Sequence, residues 1–280
     1  MNQLEQVNYI HNLCHVLFES GIPIQIPISK PIICGDRFIT YYSYVDDCIE
    51  DFQNEWYAPE VTPNRLKNAA RVFARFQQVA LVLKGPERPL DLPYCNTINW
   101  MYDHDPLNSL LGPWLFSEEL NRPGSVLIEF KQTVSHLIEN VVDNIKALKR
   151  GLCHADFHAS NTIFAGDEIQ QVVDFGFWIN HPLKFDLAIA LEMWSRNWNA
   201  RDFELNKKFY VEFMEEYLNH NGPMALAEED VYLLPLSRLW IETYGIRIQK
   251  DSSRVDIVTK YLSSALERIN WYLDHIDKLL

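Results

Sequence analysis

From Gln3 to Phe18 the apolar residues Leu4, Val7, Ile10, Leu13, Cys14 and Leu17 recur at helical spacing, and Gly21 and Pro23 close the pattern. The period then changes. Ile22 to Ile28 and Pro31 to Cys34 are β-branched stretches broken by prolines, Gly35-Asp36 is a turn signal, and Arg37 to Val45 returns as an aromatic, β-rich run. These predict a short hairpin. Asp46 to Glu60 is acidic and without period, which predicts a linker, and Thr62-Pro63 reads as a helix cap and first-turn proline.

Pro63 to Leu83 carries the stripe Leu66, Ala70, Phe73, Ala74, Gln77 and Leu81, the mark of a core helix, and the Pro/Gly-rich run Lys84 to Pro93 ends it. Further helices are expected over Asn96 to Leu111, over Val126 to Leu148, and for most of the chain after Asn180. Between them, Leu152-Cys153, Thr162 to Phe164 and Ile169 to Val173 read as short strands flanking two polar loops. The pattern predicts an α+β chain with a small N-terminal unit at 1–46, a linker at 47–62 and a large helical unit at 63–280.

Composition narrows the function more than the fold. With 280 residues and 48% apolar content, the chain can bury the core of one large domain or of two lobes sharing a cleft. The first residues lack a basic start followed by an apolar core, and no run approaches the roughly 18 apolar residues of a membrane span, so a cytoplasmic protein is expected. The five cysteines are scattered and never spaced as C-x-x-C. They read as buried small residues rather than a disulfide or zinc framework. A formal charge of −13 argues against a nucleic-acid partner and fits a cationic or neutral substrate, although acidity also serves solubility alone.

The chemistry gathers in two segments. Gly151 to Asn161 reads GLCHADFHASN and Gln170 to Gly176 reads QQVVDFG, giving His-x-Asp-x-x-x-x-Asn, a hairpin, and Asp-Phe-Gly. A loop carboxylate at Asp156 can orient a hydroxyl or take its proton. Asn161 and Asp174 offer hard oxygen ligands to Mg²⁺, which usually arrives bound to nucleotide phosphates. Taken alone, each residue is also an ordinary turn or cap residue. The ordered set, with apolar strands around both loops, is what points to catalysis.

LCHADFHASNTIF followed by VVDFGFWINHPLKFDLAIALEMW resembles the phosphotransferase family of aminoglycoside and choline kinases, above all its type II homoserine kinase branch. The likeness covers roughly 152–194. It implies a two-lobed protein-kinase-like fold and transfer of phosphate from ATP, with Mg²⁺, to a hydroxyl of a small molecule or of a modified peptide. It also implies that His154 and Asp186 brace the catalytic loop, and that Ala155 stands where glycine is commonest. His158 could face the substrate, or it could be a solvent-exposed loop residue.

In such folds a Gly-rich hairpin and a strand lysine precede the first long helix. This chain starts at that helix, no lysine precedes Glu5, and no G-x-G-x-x-G occurs. Glu5 aligns near the acidic partner of that lysine, or is only a favourable first-turn charge. A shortened N-terminal lobe leaves three readings. The enzyme holds ATP chiefly through its large lobe, or a partner chain or upstream residues complete the small lobe, or the chain is a pseudokinase serving as a scaffold.

The resemblance places adenine beside Tyr42, Tyr44 and Val45, whose backbone would read the base. It places the acceptor between the catalytic loop and the helical insertions. There Asp103, Asp105 and Trp240 could form an acidic and aromatic wall suited to an amine, unless the aromatics are packing residues.

Overall fold

The computed structural model describes residues 3–35, 37–45, 60–83, 98–196, 205–227, 230–249 and 254–275. Helix α1 (Gln3–Glu19) buries Leu13, Cys14 and Leu17, the apolar face its periodicity predicts. An extended segment then runs to the hairpin β1 (Ile32–Cys34) and β2 (Arg37–Ile39), paired antiparallel with Ile33 opposite Phe38. The aromatic run is less regular than its composition suggests. Beyond Ile39 it makes only a bridge between Tyr42 and Pro27, because prolines at 23, 27 and 31 deny the facing segment its amide donors.

The same extended segment reaches the chemistry-bearing strands. Ile24 bridges Val172 in parallel, Gln25 N donates to Val172 O at 3.0 Å, and Val172 N donates to Pro23 O at 2.6 Å. Most of the predicted linker lies outside the described residues.

Helix α2 (Pro63–Ala80) begins where Thr62 accepts from Arg65 N at 3.2 Å, with Pro63 in the first turn. Leu66, Ala69, Ala70, Phe73 and Ala74 are fully buried along it. The single helix expected over 96–111 is broken instead. A 3₁₀ turn at Asn99–Tyr102 precedes α3 (Pro106–Leu111), and a second follows at Gly112–Phe116, since Pro106, Gly112 and Pro113 punctuate the stretch.

After α4 (Val126–Lys146) come β3 (Arg150–Cys153), β4 (Thr162–Ala165), β5 (Glu168–Val172) and β6 (Ile179–Pro182). They pair antiparallel as β3 with β6 and β4 with β5. Gly151 lets β3 pass close under α2, since a Cβ there would lie 2.9 Å from Ala80 O. The remainder is helical: α5 (Leu183–Trp194), α6 (Lys207–Asn219), α7 (Leu233–Glu242), α8 (Tyr244–Ile248) and α9 (Val255–His275).

One continuous apolar core takes in Leu13 and Ile24 from the N-terminal part and Phe73, Leu187 and Leu262 from the rest. Within it Arg268 of α9 lies 3.3 Å from Glu192 of α5 and also pairs with Glu242 of α7. Burial opposes the Arg268 charge, and the two carboxylates together hold the guanidinium above its usual range. Among the described residues, no helix is long and apolar enough to cross a membrane. Cys14 and Cys153 are buried as expected, whereas Cys34 is exposed on the short hairpin. Cys48 and Cys95 lie outside the described residues.

Candidate active site

The strand β3 ends at Cys153 and the chain turns sharply through His154 and Ala155. Ala155 holds φ at 65°, a left-handed conformation that costs an L-residue about 1–2 kcal/mol and that glycine adopts freely. Asp186, in the first turn of α5, sustains this turn. Its Oδ2 accepts from His154 N at 3.2 Å and its Oδ1 from Ala155 N at 2.8 Å. Burial pushes the Asp186 carboxyl up to about 7, against the opposing pull of these two donors and of Gln77.

His154 spans the two loops. Its Nδ1 accepts from Asp156 N at 3.3 Å, so Nε2 carries the proton and donates to Val173 O at 3.2 Å. The ring lies 4.6 Å from that of Phe175, and burial lowers its pKa to about 4, which keeps it neutral. It is therefore a strut between the backbone of Asp156 and that of Val173, the residue before Asp174.

Asp156 is 8% exposed, and two side-chain nitrogens approach its Oδ2. Asn161 Nδ2 lies 3.1 Å away and also donates to Asp156 O at 2.9 Å, while His158 Nε2 is 3.3 Å from the same Oδ2. His158 is thus partly enclosed against the candidate base, and the alternative of a solvent-exposed loop histidine does not hold. Asn161 spends its amide nitrogen on Asp156, which turns its side-chain oxygen elsewhere. Its backbone carbonyl accepts from Val173 N at 2.9 Å, tying it to the loop that carries Asp174.

Asp174 has a left-handed backbone, φ 58°, and its Oδ1 accepts from Gly176 N at 3.1 Å. Its exposed side chain stands in the wall of a cavity of about 330 Å³, lined also by Ile10, Cys14, Gln25 and Tyr42.

Of the residues expected at the nucleotide, Tyr42 therefore reaches this cavity. Burial raises its hydroxyl pKa. Tyr44 is 87% exposed, and Val45 is half-buried at the edge of the described segment. Tyr41 O and Ser43 N bond to the 26–28 segment, so alternation turns the peptide groups of Tyr42 and Tyr44 to the opposite edge. Glu5 sits exposed in the first turn of α1.

The expected acceptor wall is put to other uses. Asp103 accepts from Ser109 Oγ, and Asp105 caps α3 by accepting from Asn108 N at 3.1 Å. Trp240 is buried with the Arg247 guanidinium 3.6 Å over its ring, which makes it a packing residue.

Sequence reasoning missed Gln77, although it placed this residue in the apolar stripe of α2. Fully buried, it donates to Leu183 O at 2.9 Å, accepts from Tyr217 Oη at 2.6 Å and supports Asp186. A lone amide inside an otherwise apolar helical face was the available signal.

The profile of the phosphotransferase enzyme family (APH) matches residues 4–226. The chain belongs to that family. Sequence similarity to a homoserine kinase of Afipia carboxidovorans is 36% identity over 92 residues, 32% of this phosphotransferase-family chain and 26% of the kinase's own length. Among solved structures, an ethanolamine kinase from Plasmodium vivax superposes with a TM-score of 0.58 at 17% identity, covering 98% of this chain and 73% of that one. The amicoumacin kinase hAmiN, solved with AMP-PNP, Ca²⁺ and Ami, gives 0.60 at 15% identity, with 95% and 78% covered. At such identities the likeness establishes the fold, a protein-kinase-like α+β fold.

Proposed function

We propose that this chain transfers the γ-phosphate of ATP to a hydroxyl of a small molecule. The observation that carries this reading is the bonded set formed by Asp156, Asn161 and the Val173-Asp174 loop. It matters because hydrogen bonds, rather than sequence order alone, bring a base and two oxygen ligands together.

The donor chemistry fits Mg²⁺. Asn161 and Asp174 offer hard oxygens, and no cluster of three or more His, Cys, Asp or Glu among the described residues forms a protein-only cage. That suits an ion completing its shell with water and phosphate oxygens. Bound there, Mg²⁺ would neutralise charge on the phosphates. Asp156 would orient the acceptor hydroxyl and take its proton as the oxygen bonds to the γ-phosphorus and ADP departs. His154 and Asp186 would keep both loops in register, and the peptide groups of Tyr42 and Tyr44 would meet the base. The ethanolamine and homoserine kinases among the relatives make an amino alcohol the acceptor class to try first.

A second reading, in which another chain pairs with the N-terminal hairpin to complete the nucleotide site, draws on the exposure of Ile32, Ile33 and Ile39. Calorimetric titration of the full chain with ATP, with and without Mg²⁺, separates the two. Saturable, Mg²⁺-dependent binding supports the lone enzyme. No binding at millimolar ATP sinks that reading and leaves the completed site or a scaffold.

A further inference from the structure

His158 makes a contact at each ring nitrogen, a hydrogen bond at Nδ1 and an electrostatic approach at Nε2. Its Nδ1 accepts from Ser160 N at 3.2 Å, capping the 3₁₀ turn Ala159–Asn161. Its backbone oxygen accepts from Asn161 N at 2.9 Å within the same turn. With Nδ1 acting as acceptor, a neutral ring carries its proton on Nε2, which faces Asp156 Oδ2 at 3.3 Å. Asn161 Nδ2 reaches that same oxygen at 3.1 Å. The hydrogen bond from Asn161 and the nearby His158 ring edge thus both bear on one carboxylate oxygen and restrict the Asp156 side chain.

The His158 side chain is 15% exposed and that of Asp156 is 12%, so competition from water for this contact is limited. Burial and the Phe175 ring explain His154 as a strut, whereas the His158 ring stands beside the carboxylate.

We propose that His158 is a positioning residue for phosphoryl transfer, fixing the plane of the Asp156 carboxylate while its cap presents Asn161. This rests on the reading of Asp156 as the group that orients the acceptor hydroxyl. A carboxylate free to rotate would still bind nothing less tightly, yet would spend less time aligned with the hydroxyl. The loss therefore falls on turnover rather than on affinity.

Two substitutions divide the ring's functions. His158→Asn retains an acceptor near Nδ1 for Ser160 N and is too short to reach Asp156. His158→Gln retains a donor near Nε2. Both full-length variants are compared with the wild-type chain and with Asp156→Ala by ADP release from Mg²⁺-ATP, using ethanolamine and L-homoserine as probe acceptors and water as the background acceptor.

The expected result is a fall in kcat of about tenfold or more for His158→Asn, with KM for ATP and acceptor within about twofold. His158→Gln should keep kcat within about threefold, and His158→Asn should add nothing in the Asp156→Ala background. A purely structural residue would give neither the rescue nor this non-additivity. In the protein without ligands, ¹⁵N NMR should show His158 with its proton on Nε2 and a resonance that moves in Asp156→Ala. That arm decides the matter if His158→Asn does not fold.

Wild-type turnover in His158→Asn, with Asp156→Ala inactive, overturns this inference alone. So does a ring protonated on Nδ1, or one indifferent to Asp156. Absence of any Asp156-dependent ADP release overturns the proposed function and this inference with it.

Discussion

The two walls of the cavity beside Asp174 are built in opposite ways. On one side, Val173 to Gly176 is backed by His154, Asn161 and Asp186, buried polar groups bonded to loop backbone or to one another. On the other, Gln25 and Tyr42 belong to a part whose paired strands are three residues long and whose Ile32, Ile33 and Ile39 are 49%, 62% and 43% exposed. The first wall is preorganised by buried hydrogen bonds that are expensive to break. The second is held by backbone bonds, by Ser43 Oγ, which accepts from Gln171 Nε2 at 3.0 Å and Ile26 N at 3.2 Å, and by an edge-on contact in which the Tyr42 ring lies 5.8 Å from that of His11. The part expected to carry chemistry is thus rigid, and the part expected to grip the nucleotide is slight.

The sharpest way to break this contrast is Asp156→Ala. We expect kcat to fall about 10²- to 10⁴-fold with ATP affinity within about threefold, read by steady-state kinetics and calorimetry. Near-normal turnover would remove the first wall's assigned role.

Next in size is a pH effect on stability. Burial holds His154 down to about 4 and His181 to about 3, and raises Asp186 to about 7. Between about pH 4 and 6.5 the unfolded chain binds a proton at each histidine that the folded chain refuses, while the folded chain keeps the Asp186 proton that the unfolded chain has released. The unfolded state therefore holds one more proton, and these groups lower stability toward acid by about 1.4 kcal/mol per pH unit. Asp186→Asn removes the offsetting proton and should roughly double that slope in urea titrations across the window. An unchanged slope would mean that Asp186 is ionised throughout.

Asp174→Ala should weaken Mg²⁺-dependent ATP binding about 10- to 100-fold and leave any Mg²⁺-independent binding unaltered, as calorimetry would show. The smallest effect belongs to the second wall. Ile33→Ser should change unfolding free energy by no more than about 0.5 kcal/mol, because the side chain is already largely in water. A loss of several kcal/mol, seen in a urea melt, would show that the hairpin face is covered in solution.

What could be read from the chain follows the same division. The helices α1, α2 and α4 were legible because their apolar stripes face a core, and the two loops because polar residues are fenced by apolar strands. The broken stretch around Pro106 and Gly112 was not, since short 3₁₀ turns carry no period of their own. Nor was the seat of His158, which depends on a ring nitrogen meeting a carboxylate two residues earlier through loop curvature. Gln77 was visible as an oddity in a stripe, yet its role needs Tyr217 and Asp186, 140 and 109 positions away in the chain. Asp103 and Asp105 are exposed, and the local bonds that each accepts from Ser109 Oγ and Asn108 N could not be read from composition.

The pairing of Arg268 with Glu192 has a practical consequence for anyone dissecting the chain. The family match ends at 226, which suggests a convenient cut after α6. Such a fragment would retain Glu192, 2% exposed within α5, and discard the cation that answers it. The cut would also remove α7 and α9, and so open to water the apolar core that Leu236, Leu239, Val258 and Leu262 help to bury. The loss would reach α5, whose first turn holds the loop before Asp156 through Asp186. The last helix is a counter-ion for the family region, and expression boundaries should be drawn to include it.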